Sequence, residues 1–419
     1  MMVKLLMIAD DFTGSLDSGI QFAKRGIRTQ VFLEPEIRDE EIEPDTEVLV
    51  VDTESRPLPK KEAYERVRKL TDWARRKGIG VVFKKTDSAL RGNVGAELAA
   101  ASEAMGTPLY FIPAHPKTKR ITKNATHYVD GALLENSVFG KDPFEPVTMS
   151  YIPDIIGAQS NIPVTTVGRT EAVPERKGAG IVVFDAETEA DISARLFELI
   201  KTGRSRLLAG CAALACEAAE AFSFTRTEPK TYEPAKQFYV ACGSLNAITK
   251  EQVDYAEAEG GFCRIHLTME QKLVPGYFDT AEGQSFLSKL QKTLKERQKV
   301  VVDSFDQDDS KESFLKTHGL AKEDVRGQIA AAHGRIVEEL EMRVPQTTVL
   351  MTGSDTLMGY MKRLGLKQLA PVCEIEPGVV VSSLTVNGVQ QQIISKSGGF
   401  GVKDTMAKIA EKLLNPQIK

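Results

Sequence analysis

The sequence predicts an α/β fold built as two Rossmann-like domains with mostly parallel sheets. Two observations carry this expectation. Short β-branched runs alternate with amphipathic helical stretches, and the rhythm starts afresh beyond a segment rich in Thr, Pro and charge at 223–236. Several early strands also run straight into polar clusters, where open α/β sheets take their ligands.

The elements follow in order. Residues 3–8 read as a buried strand, 15–25 as a helix, and 29–33 and 47–51 as strands. Over 60–77 the apolar positions Ala63, Val67, Leu70 and Ala74 recur at helical spacing. A strand over 80–84, a helix over 94–104 and a strand over 109–112 continue the alternation. Residues 113–150 break it, being polar and carrying Pro113, Pro116, Pro143 and Pro146. Within them, 126–129 and 132–135 flank Asp130-Gly131, a two-residue hairpin signal. So long an excursion reads as a binding or lid element. The α/β rhythm resumes at 181–184, 190–200 and 212–221. The linker at 223–236 places the domain boundary, giving domains 1–230 and 231–419. Beyond it come a strand over 238–241, a helix over 247–259 and a strand over 262–266. Residues 300–303 and 347–351 follow the same pattern, with a long helix over 323–342 and a shorter one over 357–364. Residues 379–384 and 391–394 pair through Asn387-Gly388, and 405–414 closes the chain as a helix.

Composition narrows the function. The 419 residues suit two or three domains. The charge balance of 54 basic and 58 acidic residues, net −4, leaves no electrostatic footprint for nucleic acid. Hydrophobic residues at 42% and charged residues at 27% exclude disordered, collagenous and coiled-coil classes. Cys211, Cys216, Cys242, Cys263 and Cys373 are odd in number and form no CxxC pair, which argues for reduced thiols rather than a disulfide framework or a zinc site. No apolar run approaches the ~20 residues of a membrane span. The run at 5–9 stops at Asp10-Asp11, short of a signal-peptide core, so a cytoplasmic protein with no membrane partner is expected.

Four strand-to-helix turns could carry chemistry. In Ala9-Asp10-Asp11-Phe12-Thr13-Gly14, paired carboxylates can bind hydroxyls, accept a proton or hold a metal. Helix capping by Asp11 or Thr13 is the structural alternative. The stretch 84–93 gathers Lys84, Lys85, Thr86, Asp87, Ser88, Arg91 and Asn93. Strand alternation puts Lys84 and Lys85 on opposite faces, and only Arg91 offers a planar fork to a carboxylate. Cys242-Gly243-Ser244 presents free N–H groups and a hydroxyl at a helix start, suited to phosphate. Gly353-Ser354-Asp355-Thr356 and Lys396-Ser397-Gly398-Gly399-Phe400-Gly401 can form backbone nests, although neither fits the Walker or dinucleotide pattern. His115 and His127 lie in the excursion and could line a site, whereas Trp73, His266, His318 and His333 read as packing or surface residues. Asp303, at a strand end, could touch a nucleotide or act as a cap.

Together these segments resemble the four-carbon acid sugar kinase family, which pairs an N-terminal sugar-binding domain with a C-terminal nucleotide-binding domain. The likeness runs in order through nearly the whole chain. It covers A-D-D-F-T-G at 9–14, K-T-D-S-x-L-R-G-N at 85–93, Pro113-Ala114, Arg120, His127-Tyr128-Val129 and Asp142-Pro143. It continues through Gly243-Ser244, Gly353 to Thr356, Glu376-Pro377-Gly378 and K-S-G-x-F-G at 396–401. The resemblance implies ATP-dependent phosphorylation of the terminal hydroxyl of threonate, erythronate or a 3-oxo-tetronate. It puts ATP contacts on Ser244, on Gly353, Ser354, Asp355 and Thr356, and on Gly398. The chain departs from the family where Leu245-Asn246 stands for Cys-Ser, Ser354 for Gly and Gly399 for Asn.

The expectation is therefore a kinase with an interdomain active-site cleft. Asp10 or Asp11 orients or deprotonates the hydroxyl, and Arg91 holds the substrate carboxylate. Lys85 neutralises charge, and Asp87, Ser88 and His115 complete the sugar site. Lys396, Gly398 and Gly399 join Ser244 and the 353–356 turn around ATP, with Mg²⁺ whose ligands the sequence does not name. A homo-oligomer is left open. The rivals are a kinase for another small hydroxy acid such as glycerate, and a non-catalytic sugar-acid-binding regulatory protein.

Overall fold

The computed structural model describes residues 3–142, 145–307, 310–344 and 346–415; Pro143, named above, lies outside them. The chain divides into two compact units, Met1–Pro229 and Lys230–Lys419.

The first unit begins with β1 (Leu5–Ala9), α1 (Phe12–Ala23), β2 (Thr29–Phe32), β3 (Val48–Asp52), α2 (Lys60–Lys77), β4 (Val81–Lys85), α3 (Val94–Met105) and β5 (Pro108–Ile112). The excursion supplies β6 (Arg120–Lys123), β7 (Thr126–Val129) and β8 (Ala132–Leu133), then α4 (Ile152–Gly157). The unit closes with β9 (Val164–Val167), β10 (Gly180–Phe184), α5 (Glu189–Lys201), β11 (Leu207–Gly210) and α6 (Ala212–Ala221). Its main sheet runs in the order β2-β3-β1-β4-β11-β5-β10-β9, every pair parallel. The central strands are mostly apolar because helices cover both faces, with the charged residues Asp52, Lys84 and Lys85 at the ends of β3 and β4; β1 is Leu-Leu-Met-Ile-Ala, all buried. Register sets Ala9 opposite both Asp52 and Lys85, so three chain segments leave the sheet at one edge.

The excursion folds as an antiparallel sheet, β6-β7-β8. Asp130 (φ 50°) and Gly131 (φ 81°) form its turn, the positive pair that a two-residue hairpin needs. An antiparallel bridge between His115 and Arg120 ties the excursion to the end of β5.

The second unit contains β12 (Gln237–Cys242), α7 (Ala247–Ala258), β13 (Cys263–His266), α8 (Met269–Leu273), α9 (Ala281–Arg297), β14 (Lys299–Asp303) and α10 (Lys311–His318). It continues with α11 (Val325–Arg343), β15 (Thr347–Thr352), α12 (Ser354–Leu364), β16 (Gln368–Glu376), β17 (Val379–Val386), β18 (Val389–Lys396) and α13 (Thr405–Leu414). The sheet order is β13-β14-β12-β15-β18-β17-β16. The first five strands are parallel, and β17 is antiparallel to both neighbours. Asn387 and Gly388 make the anticipated β17–β18 turn, both with positive φ. β6, β9, β11, β16, α4 and helices α8 to α10 have no counterpart among the elements expected from the sequence. Among the described residues, no helix is long and apolar enough to cross a membrane.

Candidate active site

In the first unit the site is organised around a residue the sequence reading did not select, Arg56. It leaves β3 four residues beyond Asp52 and is half-buried. Its Nε donates to Asp10 Oδ2 at 2.8 Å, and its Nη2 lies 2.7 Å from Asp11 Oδ1 and 3.9 Å from Asp87 Oδ1. The local backbone is shaped for this. Gly92 (φ 78°) packs so closely that a Cβ there would come within 2.6 Å of Arg56 Cγ, and Asn93 Nδ2 donates to the carbonyls of Ser55 and Leu58. Gly14 leaves room for the Lys85 ammonium and the Asp11 carboxylate, both of which a side chain at 14 would strike.

The two adjacent carboxylates differ. Asp11 caps α1, accepting from Gly14 N at 3.0 Å, and shares the same oxygen with Arg56. Asp10 is buried, and its Oδ1 has no hydrogen-bond partner among the described residues. Burial pushes the Asp10 pKa up, but the charges of Arg56, Lys85 and Lys84 outweigh it and hold the carboxyl below its ordinary value. Burial likewise lowers Lys85, and Asp10 and Asp11 more than reverse that, so the ammonium stays charged. Asp87 is buried too, yet Arg56 and Arg91 hold it far below the carboxylate range.

Beneath this layer Lys84 faces the other side of the sheet, as alternation requires. Its Nζ pairs with Glu97 on α3 at 2.8 Å and donates to Lys85 O at 2.6 Å; both partners of the pair are buried. Ser55 Oγ donates to Glu97 at 2.5 Å, and Thr53 Oγ1 to Ala9 O at 2.6 Å. The loop after β3 is thereby pinned to β1 and to α3.

The excursion packs against the same cluster. Arg91 pairs within the chain: Nε and Nη2 bind the two oxygens of Asp87 at 2.8 and 3.1 Å, and Nη1 reaches Asp142 at 3.1 Å. Its fork is spent on carboxylates of the chain itself. The Ser88 hydroxyl accepts from Arg120. His127 is buried between Thr122 Oγ1 and Ser88 O, and burial lowers its pKa to about 4. His115 is lowered to about 4 by burial and then by Arg120. The sequence thus placed Asp10, Asp11, Lys85, Asp87, Ser88 and Arg91 in one cluster, which the fold assembles, and missed Arg56. The signal available for it was the Asp52-Thr53-Glu54 strand end, which carries a cation just beyond.

In the second unit three adjacent strand ends carry the glycine turns, with Cys242 opposite Thr352 and Thr352 opposite Lys396. Ser244 N donates to Thr352 O, and Gly353 N to Lys396 O at 2.9 Å. Thr249 Oγ1 donates to Gly398 O at 2.8 Å. Gly353 (φ 94°) precedes α12 against the Ser244 side chain, and a Cβ at Gly398 would collide with the Ser244 hydroxyl. Gly399 is different: a Cβ there would meet only Asn246 Nδ2, at 4.0 Å. Lys396 is buried and donates to the carbonyls of Ser397 and Phe400; burial lowers its pKa to about 8. Ser244, Gly353, Thr356, Lys396 and Gly398 therefore converge, and Ser354 opens α12 beside them. Asp355 turns outward and pairs with Arg326 at 2.7 Å. Asp303 is committed to Arg264, His266 and Phe305 N. Among the described residues, no group of three or more His, Cys, Asp or Glu is placed to hold a metal ion.

Residues 5–218 match the family described as a sugar-binding N-terminal domain, and residues 239–406 the one described as a nucleotide-binding C-terminal domain. The chain is 27% identical over 422 residues to a D-threonate kinase of Salmonella typhimurium, covering 96% of this chain and 97% of that protein. It is 28% identical over 440 residues to a 3-oxo-tetronate kinase of Methylobacterium radiotolerans, covering 99% and 100%. The solved structure of a Salmonella typhimurium LT2 protein, 19% identical, superposes with a TM-score of 0.79 over 98% of this chain and 99% of that one, a likeness of fold.

Proposed function

The chain belongs to the four-carbon acid sugar kinase family. From that premise we propose that it moves the γ-phosphoryl group of ATP to the terminal hydroxyl of a tetronate: threonate, erythronate or 3-oxo-tetronate. The observation that carries this reading is the buried Asp10 carboxylate, held ionised by Arg56 and Lys85 with one oxygen left without a partner. That oxygen can accept a hydrogen bond from a substrate hydroxyl and aim it.

Phosphoryl transfer through a loose transition state needs an oriented nucleophile and compensated charge more than a strong base. Asp10, kept below its ordinary pKa, suits orientation and late proton acceptance. Lys85 and Arg56 would offset charge gathering on the transferred group. Ser244 N and Gly353 N are held by Thr352 O and Lys396 O, so what the second unit would offer phosphates is the Gly398 turn and the Ser244 hydroxyl beside it. Mg²⁺ when bound would supply charge compensation on the nucleotide's phosphates; among the described residues no cluster of three or more His, Cys, Asp or Glu is placed to hold it.

The test is a Mg-ATP phosphorylation screen over all tetronate stereoisomers and glycerate, with product identified by phosphorus NMR. Phosphorylation at the C4 hydroxyl of a tetronate is expected. Turnover of glycerate alone would replace the reading. A second expected outcome concerns the nucleotide turn. Gly398→Val should weaken ATP binding in calorimetric titration, because its side chain must displace Ser244, while tetronate affinity stays within about twofold. Unchanged ATP affinity would remove this loop from the site.

A further inference from the structure

Arg91 was the cation expected to hold the substrate carboxylate, and it is occupied. Arg120 is not. It opens β6 on the excursion, half-buried, with its guanidinium 4.9 Å from the centroid of the Phe139 ring. Its Nη1 donates to the Ser88 hydroxyl, a neutral partner. Its Nε is buried without a hydrogen-bond partner, and among the described residues no carboxylate lies within ion-pair distance of it. The Nε–Nη2 edge, the side that grips a carboxylate with two parallel bonds, is thus unpartnered among the described residues.

A second observation falls on the residue directly across the backbone. His115 N donates to Arg120 O at 2.7 Å and Arg120 N to His115 O at 3.2 Å, an antiparallel bridge that sets the two side chains next to each other. His115 Nδ1 is also buried without a partner. Buried polar atoms are almost always satisfied, and two orphans on opposed residues call for a shared ligand. Arg120 and Lys85 both act electrostatically on His115 and on Cys211, so the ammonium of the strand-end cluster belongs to the same neighbourhood. The imidazole itself is neutral, so the charge offered here is the guanidinium's.

We propose that Arg120 binds the carboxylate of the sugar acid through its Nε–Nη2 edge, with the His115 ring bonding the same end of the ligand. Arg91 is instead a positioning residue that fixes Asp87 and Asp142. The assignment rests on the sugar-acid kinase reading and makes it specific, because it places the feature that distinguishes an acid from a sugar. Arg120 and Ser88 would then join the excursion to the 85–93 loop around the acid end of the ligand. Asp10 receives the hydroxyl end.

The test compares wild type with Arg120→Gln, Arg120→Lys and Arg91→Lys. Calorimetric Kd values for the tetronate and for ATP are measured, together with kcat, KM and Tm. For Arg120→Gln the tetronate Kd and KM should rise about 10- to 100-fold, while ATP affinity and Tm hold and kcat at saturation falls less than KM rises. Arg120→Lys should recover part of the loss, since a point charge replaces the fork. An unchanged tetronate Kd in a folded Arg120→Gln variant overturns the proposal, as does a selective loss of acid affinity in Arg91→Lys. If Arg120→Gln melts early, Arg120→Lys decides: a normal tetronate Kd there overturns the assignment. A wild type that binds tetronate without phosphorylating it would sink the kinase reading, and the same Kd comparison would still judge Arg120.

Discussion

Asp10→Asn is expected to lower kcat by about 10²–10⁴ with little change in the KM for ATP. The substitution keeps size and one acceptor oxygen but removes the charge that Arg56 and Lys85 surround. Its amide would also turn a donor toward one of two cations. Asp11→Asn should behave differently, because Asp11 already serves as the α1 cap and as a partner of Arg56; an asparagine caps nearly as well, and kcat should fall severalfold at most. The pH profile adds a second readout. A carboxyl whose pKa is lowered in the fold stays ionised down to more acid pH, so the acid limb owed to Asp10 should lie below its ordinary value of 3.8. Steady-state kinetics of both variants check this. Near wild-type turnover in Asp10→Asn would reduce the pair to a structural role.

Arg56 shows why part of this site was hidden in the sequence. Strand ends were legible from local chemistry, since buried apolar runs stop abruptly at Asp10, Asp52 and Lys85, and parallel register then brings those ends to one edge. The Asp-Gly and Asn-Gly turns were legible because few residue pairs tolerate two successive positive φ values. The return of Arg56 onto a carboxylate 46 positions earlier has no local signature; it depends on the order β3-β1-β4, which periodicity does not encode. The Arg91 fork is legible as a carboxylate grip, but its partners Asp87 and Asp142 lie 4 and 51 positions away, and the distant one sits in an irregular stretch. β11 was missed for another reason: Leu-Leu-Ala-Gly is too short to display a period. β16 went unread because it carries Pro371 and alternates imperfectly, as its register shifts show.

Lys84→Met is expected to be the most destabilising single change in the first unit, by about 3–5 kcal/mol. Lys84 and Glu97 are buried together, so removing the ammonium strands a carboxylate whose remaining hydrogen-bond partner among the described residues is Ser55. It also frees the Lys85 carbonyl that Lys84 Nζ holds at the edge of the site. Glu97 can escape part of the cost by taking a proton. Burial already raises its pKa against the pull of Lys84, and without that pull the folded-state value rises further. A carboxyl with a raised folded-state pKa stabilises the fold below its unfolded value, and that contribution is lost as pH rises through the folded value. The deficit of Lys84→Met relative to wild type should therefore grow with rising pH and shrink toward acid. Pairing Lys84→Met with Glu97→Leu should restore much of the stability, since apolar pairs of similar volume replace buried ion pairs at little cost. Urea denaturation of wild type, the single variant and the double variant across pH gives the measurement. A loss below about 1 kcal/mol, of the size seen for exposed pairs, would mean water reaches Glu97 when Lys84 is gone. A double variant no more stable than the single one would instead mean that the lost bond to the Lys85 carbonyl dominates.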